Sequence, residues 1–253
     1  MNDFQTWIDQ RNAQWSNPTG FLAVTSMNWL DETPQTFSDV SGSWWANDHE
    51  VHAIGFEGEG ERVWQLPFGS EISEPMTGGV LEIASRGGRV ILRPRNQQAP
   101  ALQRFSGVST FEYNPDLAVE AELIEDEKTV GVSSAAGELG NKYVSPGRLR
   151  FNLHGEQIDL VGFERPNPDQ LWVIFRDGTS GKTSYGTGRS VTAIKQPNGR
   201  WAIDFNKSAN FPCSYTDFAT CPLAPRENYL SVEIAGGEKT PNFRITSDGL
   251  QDQ

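Results

Sequence analysis

Carboxylates, amides, thiols and a phenol crowd into one stretch of this chain, Asp204-Phe-Asn-Lys-Ser-Ala-Asn210-Phe-Pro-Cys213-Ser-Tyr215, continued by Cys221-Pro222 and Glu227-Asn228. Groups of these kinds can move protons, supply a nucleophile or hold a polar substrate. Over residues 200–206 the pattern alternates. Trp201, Ile203 and Phe205 share one strand face, so Asp204 and Asn206 share the other. A carboxylate beside an amide, just before an irregular loop with a proline, makes a polar wall on which a ligand can dock. The same two side chains can equally serve the backbone of that loop, since buried polar groups must be paired. The residues alone favour neither reading.

Upstream, Asp177-Gly-Thr-Ser-Gly181-Lys182-Thr183-Ser-Tyr185-Gly-Thr-Gly188-Arg189 carries a second set. Gly181-Lys182-Thr183 looks like the end of a phosphate loop. Only two residues separate Gly178 from Gly181, however, where that loop needs four, and no helix follows. Nucleotide binding is not expected. What remains is a connector whose Asp177, Lys182, Tyr185 and Arg189 can orient an anionic or polar ligand, or pair with one another. Cys213 and Cys221, with seven residues between them, are expected as free thiols. His49, His52 and His154 show no spacing with them that completes a zinc site. His154 also falls at a hairpin tip, an ordinary exposed place for a thiol's base. No Gly-x-Ser-x-Gly elbow is present. No metal and no cofactor is expected.

The elements that must position these groups are mostly strands. Phe4, Trp7, Ile8 and Trp15 lie at helical spacing, with Asn2 or Asp3 as cap and Asn17-Pro18-Thr-Gly20 as stop. After that helix the period becomes two. Leu149, Phe151 and Leu153 alternate with polar residues, and a turn at His154-Gly155 leads into Gln157-Ile-Asp-Leu-Val. Leu171-Trp-Val-Ile-Phe reads as a strand covered on both faces. Ser190-Val-Thr-Ala-Ile and Arg200-Trp-Ala-Ile-Asp-Phe flank the turn Gln196-Pro-Asn-Gly199. Leu230, Val232 and Ile234 predict a late strand, and Val80-Leu-Glu-Ile with Arg89-Val-Ile-Leu an early hairpin through Gly87-Gly88. The expected fold is mainly β, antiparallel sandwich or barrel-like sheets with a short N-terminal α-helix. The expected organisation is a helix over 1–16, a β-rich region over 17–100 and a second over 101–253. The polar stretch at Asn96-Gln-Gln-Ala-Pro-Ala lies at the junction, and the two regions can share one core.

A net charge of −12 repels nucleic acid and anionic membrane, so neither is an expected partner. The acidic runs at Glu57, Glu59 and Glu61, and at Glu120, Glu122, Glu125, Asp126 and Glu127, read as solvated surface. Mean hydropathy of −0.52 and the lack of any long apolar run argue against a spanning helix. Met1-Asn-Asp-Phe-Gln-Thr-Trp has neither the basic nor the apolar region of a secretory signal, so the expected location is cytoplasmic.

Taken in order, several motifs resemble the prokaryotic family called domain of unknown function 1684. They are Phe175-x-Asp177-x-Thr179-x-Gly181-x-x-x-Tyr185-Gly-x-Gly188-Arg189, Asp204-Phe205-Asn206-x-x-x-Asn210-x-Pro212-Cys213-x-Tyr215, Cys221-Pro222-Leu-x-Pro225-x-Glu227-Asn228-x-Leu230 and Gly237-Glu238-Lys239. Gly20-Phe-Leu, Trp29-Leu30, Arg86-Gly-Gly-Arg89 and Phe105-x-Gly107 with Phe111 extend the resemblance toward the start. Residue by residue, it implies importance for Asp177, Tyr185, Arg189, Asp204, Asn206, Asn210, Cys213, Glu227 and Asn228.

The resulting expectation is a small-molecule enzyme, hydrolase-like, acting on a small polar ligand. Asp204 or Glu227 would be the general base, since two carboxylates in a partly dry cleft can have their pKa values pushed apart. Asp177, Tyr185, Arg189, Asn206, Asn210 and Asn228 would bind substrate. Arg189 is expected within reach of Asp204 or Glu227, around an opening that water enters. The alternative is a non-catalytic module that binds a ligand or a protein segment. A third reading makes the segment from Asp204 to Glu227 a hydrogen-bonded clamp without a ligand. Nothing in the sequence selects a reaction or an oligomeric state.

Overall fold

The computed structural model describes residues 2–47 and 49–253. Helix α1 (Asn2–Trp15) opens the chain, and its apolar face ends in a buried Trp15 whose ring packs 4.4 Å from that of Tyr215. The side chain of Asn2, one of the two expected caps, lies outside the described residues. Asp3 sits in the first turn, where its carboxylate takes a hydrogen bond from Lys207. The chain then leaves the helix through a turn in which Asn17 accepts from the Thr19 N–H at 3.0 Å.

Two four-stranded antiparallel sheets follow. In one, β1 (Asn28–Leu30), β8 (Arg89–Asn96), β7 (Gly79–Arg86) and β6 (Glu71–Met76) lie side by side in that order. In the other, β2 (Gln35–Phe37), β3 (Val40–Asn47), β4 (Glu50–Ile54) and β5 (Glu61–Gln65) run in chain order. The sheets close on one shared core in which Trp44 stacks on Trp64 at 5.3 Å, with Leu81, Ile83 and Leu92 from the facing sheet. Alternation would leave the back of β7 and β8 polar and wet. It is polar but dry: Glu82 and Arg93 stand opposite each other in the ladder and are both 2% exposed. Arg93 and Arg95 both donate to Glu82, both lie over the Phe21 ring, and Arg93 reaches the Phe218 carbonyl at 3.3 Å. Ion pairing thus lets the later part of the chain cover this face.

The second half is a closed six-stranded barrel, with strands in the order β10-β11-β12-β13-β14-β9. These are β9 (Ala118–Ser134), β10 (Gly137–Leu153), β11 (Glu156–Glu164), β12 (Gln170–Phe175), β13 (Arg189–Lys195) and β14 (Trp201–Asp204). The expected hairpins are present, and His154 and Gly155 take φ of 53° and 85°, the two left-handed positions of a tight hairpin turn. Closure comes from β14 pairing with β9, Trp201 opposite Ala121. The long β9–β10 hairpin bends at a bulge beside Gly147, whose φ is +152° and whose added Cβ would lie 2.1 Å from the Ile124 oxygen. Only glycine fits there. The acidic residues of β9 face solvent, and Phe151, Phe175 and Phe205 fill the barrel.

Beyond Asp204 the backbone forms short turns and isolated bridges until a final hairpin, β15 (Phe243–Thr246) and β16 (Gly249–Asp252). The late strand expected at Leu230, Val232 and Ile234 does not form. The segment bends at Ser231 and Val232, with its apolar residues still packed on the barrel core. It is tied to the end of β12 by Leu230 N–H to the Arg176 oxygen and Gly178 N–H to the Val232 oxygen, both at 2.8 Å. The bends at Ser231 and Val232 break the regular register that a ladder needs. The polar stretch at Asn96 runs into a short helix, α2 (Pro100–Arg104), whose Ala101 packs in the cluster around Trp15 and Tyr215.

Burial alone would raise the Glu82 carboxyl, but Arg93 and Arg95 outweigh it and hold the group below its ordinary value. A depressed carboxylate contributes stability that is present above its unfolded pKa and is lost as pH falls through the folded one. Glu82→Gln leaves Arg93 buried without a counter-charge and should cost roughly 3–5 kcal/mol at pH 7 in urea melts. The variant should also lose part of the parent's decline in stability below about pH 4.5.

Candidate functional site

The loop between β12 and β13 is built on Asp177. Its Oδ1 accepts from the Thr179 N–H at 2.6 Å and the Thr179 hydroxyl at 2.5 Å, and Ser184 meets that hydroxyl at 2.7 Å. Its Oδ2 accepts from Arg189 Nη2 at 2.5 Å. Arg189, the first residue of β13, points into the barrel mouth and is 0% exposed. Its guanidinium donates also to the carbonyls of Ile234 at 2.8 Å, Glu238 at 3.2 Å and Gly236, between the rings of Phe111 and Phe175. Burial draws Arg189 below the ordinary arginine value against the pull of Asp177, yet a guanidinium stays charged in any protein. This is a latch that holds residues 234–238 over the barrel end.

A second ion pair, buried at its carboxylate, continues it. Glu238, 0% exposed, accepts from Arg11 Nε at 2.5 Å and from the Asn210 N–H at 2.8 Å. Arg11 reaches the Asn210 carbonyl as well, at 3.1 Å, so the helix is bolted to the same loops. Sequence reading named neither Glu238 nor Arg11 as a site residue. The signals were there. Glu238 stands in the Gly237-Glu238-Lys239 motif, and Arg11 falls at helical spacing between Ile8 and Trp15, on the buried face.

The asparagines act as detached pieces of backbone. Asn206 Oδ1 accepts from the Asn114 N–H at 2.8 Å while its Nδ2 donates to the Asn114 oxygen at 2.8 Å, as a paired strand residue would. Asn228 does the same with Val161, at 2.7 and 3.0 Å, and donates to the Ile174 oxygen at 2.8 Å. It thereby stitches the seam where β11 and β12 pair over only two residues. Asn210 donates to the Lys239 oxygen at 2.7 Å.

The expected shared face of Asp204 and Asn206 is not a strand face. The strand stops at Asp204 and turns into a 3-10 turn, Phe205–Lys207, which Asp204 caps by accepting from the Asn206 N–H at 3.1 Å. Asp204 is half-buried and 3.7 Å from Lys207, whereas Glu227 is exposed. Asp204 pairs beside β9, and Glu227 adjoins the Asn228 stitch between β11 and β12, across the ring. Arg189 is bonded to neither. Asp177, Arg189, Asn206, Asn210 and Asn228 are therefore gathered at one barrel end, but closed off from water, with the two candidate bases apart.

Tyr185 belongs to another cluster. Its hydroxyl donates to the Cys213 oxygen at 2.7 Å and accepts from Arg244 at 2.7 Å, and Arg244 also holds Asp217. Burial, then the neighbouring Cys213 thiol, push Tyr185 up. Among the described residues no three His, Cys, Asp or Glu side chains gather as a metal site requires. Nor is any helix there long and apolar enough to cross a membrane.

A family model described as a protein of unknown function (DUF1684) matches residues 103–239. The chain belongs to this family. The DUF1684 match takes in Asp177, Arg189, Asn206, Asn228 and Glu238, and leaves out Arg11 and the earlier motifs from Gly20 to Arg89. Among solved structures, the solution structure of an uncharacterized protein of Haloarcula marismortui is similar at 32% identity. It covers 55% of this chain and 78% of that one, with a TM-score of 0.45. No curated protein matches.

Arg189→Met should cost about 3–5 kcal/mol, because Asp177 is left buried and unpaired. Arg189→Lys should recover little, since an ammonium cannot reproduce the planar fork. Asp204→Asn keeps the acceptor that Asn206 uses and should cost under about 2 kcal/mol. Urea melts of the three variants against the parent check all of these.

Proposed function

We propose that this chain is a non-catalytic ligand-binding β module, in preference to a hydrolase-like enzyme. In this reading the polar motif residues clamp the barrel mouth, and the ligand sits elsewhere. The observation that carries it is a cleft of about 500 Å³ between the β7–β8 turn and the β9–β10 hairpin. Phe68, Ser85, Arg86, Asn141, Lys142 and Tyr143 line it. Among the described lining residues there are two cations and no carboxylate, which is unusual on a chain of net charge −12.

The chemistry of the cleft fits a small organic anion with a flat apolar body. Lys142 is exposed and brings a point charge, while Arg86 is steadied by Glu71 and by the Ser85 oxygen at 3.0 Å. Phe68 is 71% exposed, an aromatic face left to water at the rim of the cleft. Tyr143 is pushed up by burial and stays a hydrogen-bond donor at neutral pH. Catalysis finds less support. Asp204 and Glu227 do not share a cleft, and the two Nη atoms of Arg189 are already taken by Asp177 and three carbonyls.

The test is a titration of labelled protein with benzoate, phenyl phosphate and inorganic phosphate at roughly millimolar concentration, followed by amide shifts. Saturable shifts centred on residues 68–69, 85–87 and 140–143, abolished in Lys142→Glu at unchanged melting temperature, are the expected result. Shifts centred on the barrel mouth, or hydrolysis of phenyl esters that vanishes in Asp204→Asn, would return the case to the enzyme.

A further inference from the structure

We propose that Cys213 and Cys221 form a redox-convertible dithiol site, in which Cys213 reduces a hydroperoxide and Cys221 resolves the product as an intramolecular disulfide. Both are free thiols in the structure, in one apolar cluster with Phe211 and Ala219. Their contact is direct. The Cys213 N–H donates to Cys221 Sγ at 3.3 Å. A pair meeting across a turn, with only 214–220 between them, needs little backbone movement to reach bonding distance.

The surroundings make the two sulfurs unequal. Cys213 Sγ lies 3.8 Å from the Thr187 hydroxyl, and Arg244 donates to the carbonyl of the same residue. The Cys221 thiol, and after it Thr187 and Arg244, lower the Cys213 thiol against the upward pull of burial. The bond to Cys213, together with burial, raises Cys221 well above the ordinary value. The Thr187 hydroxyl lies beside the Cys213 sulfur, so Cys213 takes the part of nucleophile and Cys221 that of the resolving thiol in a two-cysteine couple.

The chemistry balances. The Cys213 thiolate attacks the distal oxygen of the hydroperoxide, the O–O bond breaks, and a proton completes the departing water or alcohol. Cys213 is then a sulfenic acid. The Cys221 sulfur attacks it, the S–O bond breaks, and a second water leaves with the thiol proton. Two thiols are oxidised by two electrons, and one peroxide is reduced. The residues are 3% and 7% exposed, so the site admits a small oxidant rather than a bulky one. No long sheet ladder covers residues 205–242, and their turns can open locally.

The bond would also fasten a segment that other parts lean on. Between the cysteines lie Tyr215 under Trp15, Asp217 on Arg244 and the Phe218 carbonyl on Arg93. Oxidation should therefore raise the melting temperature of the intact protein.

The experiment treats the full chain with hydrogen peroxide and measures intact mass and denatured thiols. The expected result is loss of both thiols with a mass decrease of about 2 Da, reversed by dithiothreitol. Cys221→Ser should stop at a sulfenic acid that dimedone labels on Cys213, and Cys213→Ser should react on the order of tenfold more slowly. Retention of both thiols in the parent, or a disulfide only between chains, would overturn the proposal whatever the variants do. Dimedone on Cys221 in Cys213→Ser at the parental rate would overturn the assigned roles.

Discussion

A guanidinium with no access to water must find a counter-charge and enough acceptors, and most of the barrel's second half answers that demand at Arg189. Desolvating such an ion costs several kcal/mol unless the geometry around it is good. Asp177 supplies the charge, and the carbonyls of Ile234, Gly236 and Glu238 supply three more acceptors. To bring those carbonyls in, the chain must pass very close to its neighbours. At Gly237, φ is +77° and an added Cβ would lie 2.3 Å from the Ser208 oxygen, so a side chain there is excluded twice over. The turn then delivers Glu238 into the interior, where Arg11 and Asn210 complete it. Helix, loops and barrel are joined by two consecutive ion pairs, the first fully buried and the second buried at Glu238.

The asparagines extend the same logic to uncharged groups. A barrel built from strands of unequal length leaves backbone N–H and C=O groups without ladder partners wherever one strand stops early. A primary amide presents a donor and an acceptor in nearly the arrangement of a peptide group. Asn206 and Asn228 occupy two such gaps, at Asn114 and at Val161 with Ile174. Alanine at Asn228 would take the side-chain partner from three backbone groups, those of Val161 and the Ile174 carbonyl, and alanine at Asn206 would strand the Asn114 N–H, with no solvent reaching Asn206 or Asn228 to replace the amide.

The elements that local pattern controls were legible in the sequence. Hairpins around His154-Gly155, Gly87-Gly88 and Gln196-Pro-Asn-Gly199 follow from turn residues and period-two alternation, which act over a few positions. Barrel closure was not, because β14 meets β9 through residues as distant in the chain as Trp201 and Ala121. The site was legible in its membership and illegible in its geometry. Alternation placed Asp204 and Asn206 side by side on a face, but the strand ends at Asp204, and a 3-10 turn changes the period from two to three. Arg189 likewise read as a partner for Asp204, its hairpin neighbour. Asp177 wins because the loop folds its carboxylate into the same dry pocket, where an unpaired charge is least tolerable. Residue types rich in hydrogen-bonding capacity mark places where the backbone is hardest to satisfy, and from sequence these look the same as places where a substrate is held.

Where the charges lie bears on the proposed cleft. The excess of acid sits on exposed strand faces such as Glu120, Glu122 and Glu125, while Arg93 and Arg189 are enclosed with their partners. An organic anion approaching the cleft meets a repulsive field from the whole surface and an attractive one from Lys142 and Arg86 only at close range. Added salt screens the two unequally. With a Debye length of about 8 Å at physiological ionic strength, the distant acidic residues are damped first, and contacts within a few ångström are damped least. Affinity should therefore hold steady or rise slightly as salt is raised from low values, and the association rate should rise with it. A steep loss of affinity over the same range would mean that binding draws on the long-range field, which on this chain has the wrong sign for an anion. Titrations with phenyl phosphate at several salt concentrations separate the two outcomes.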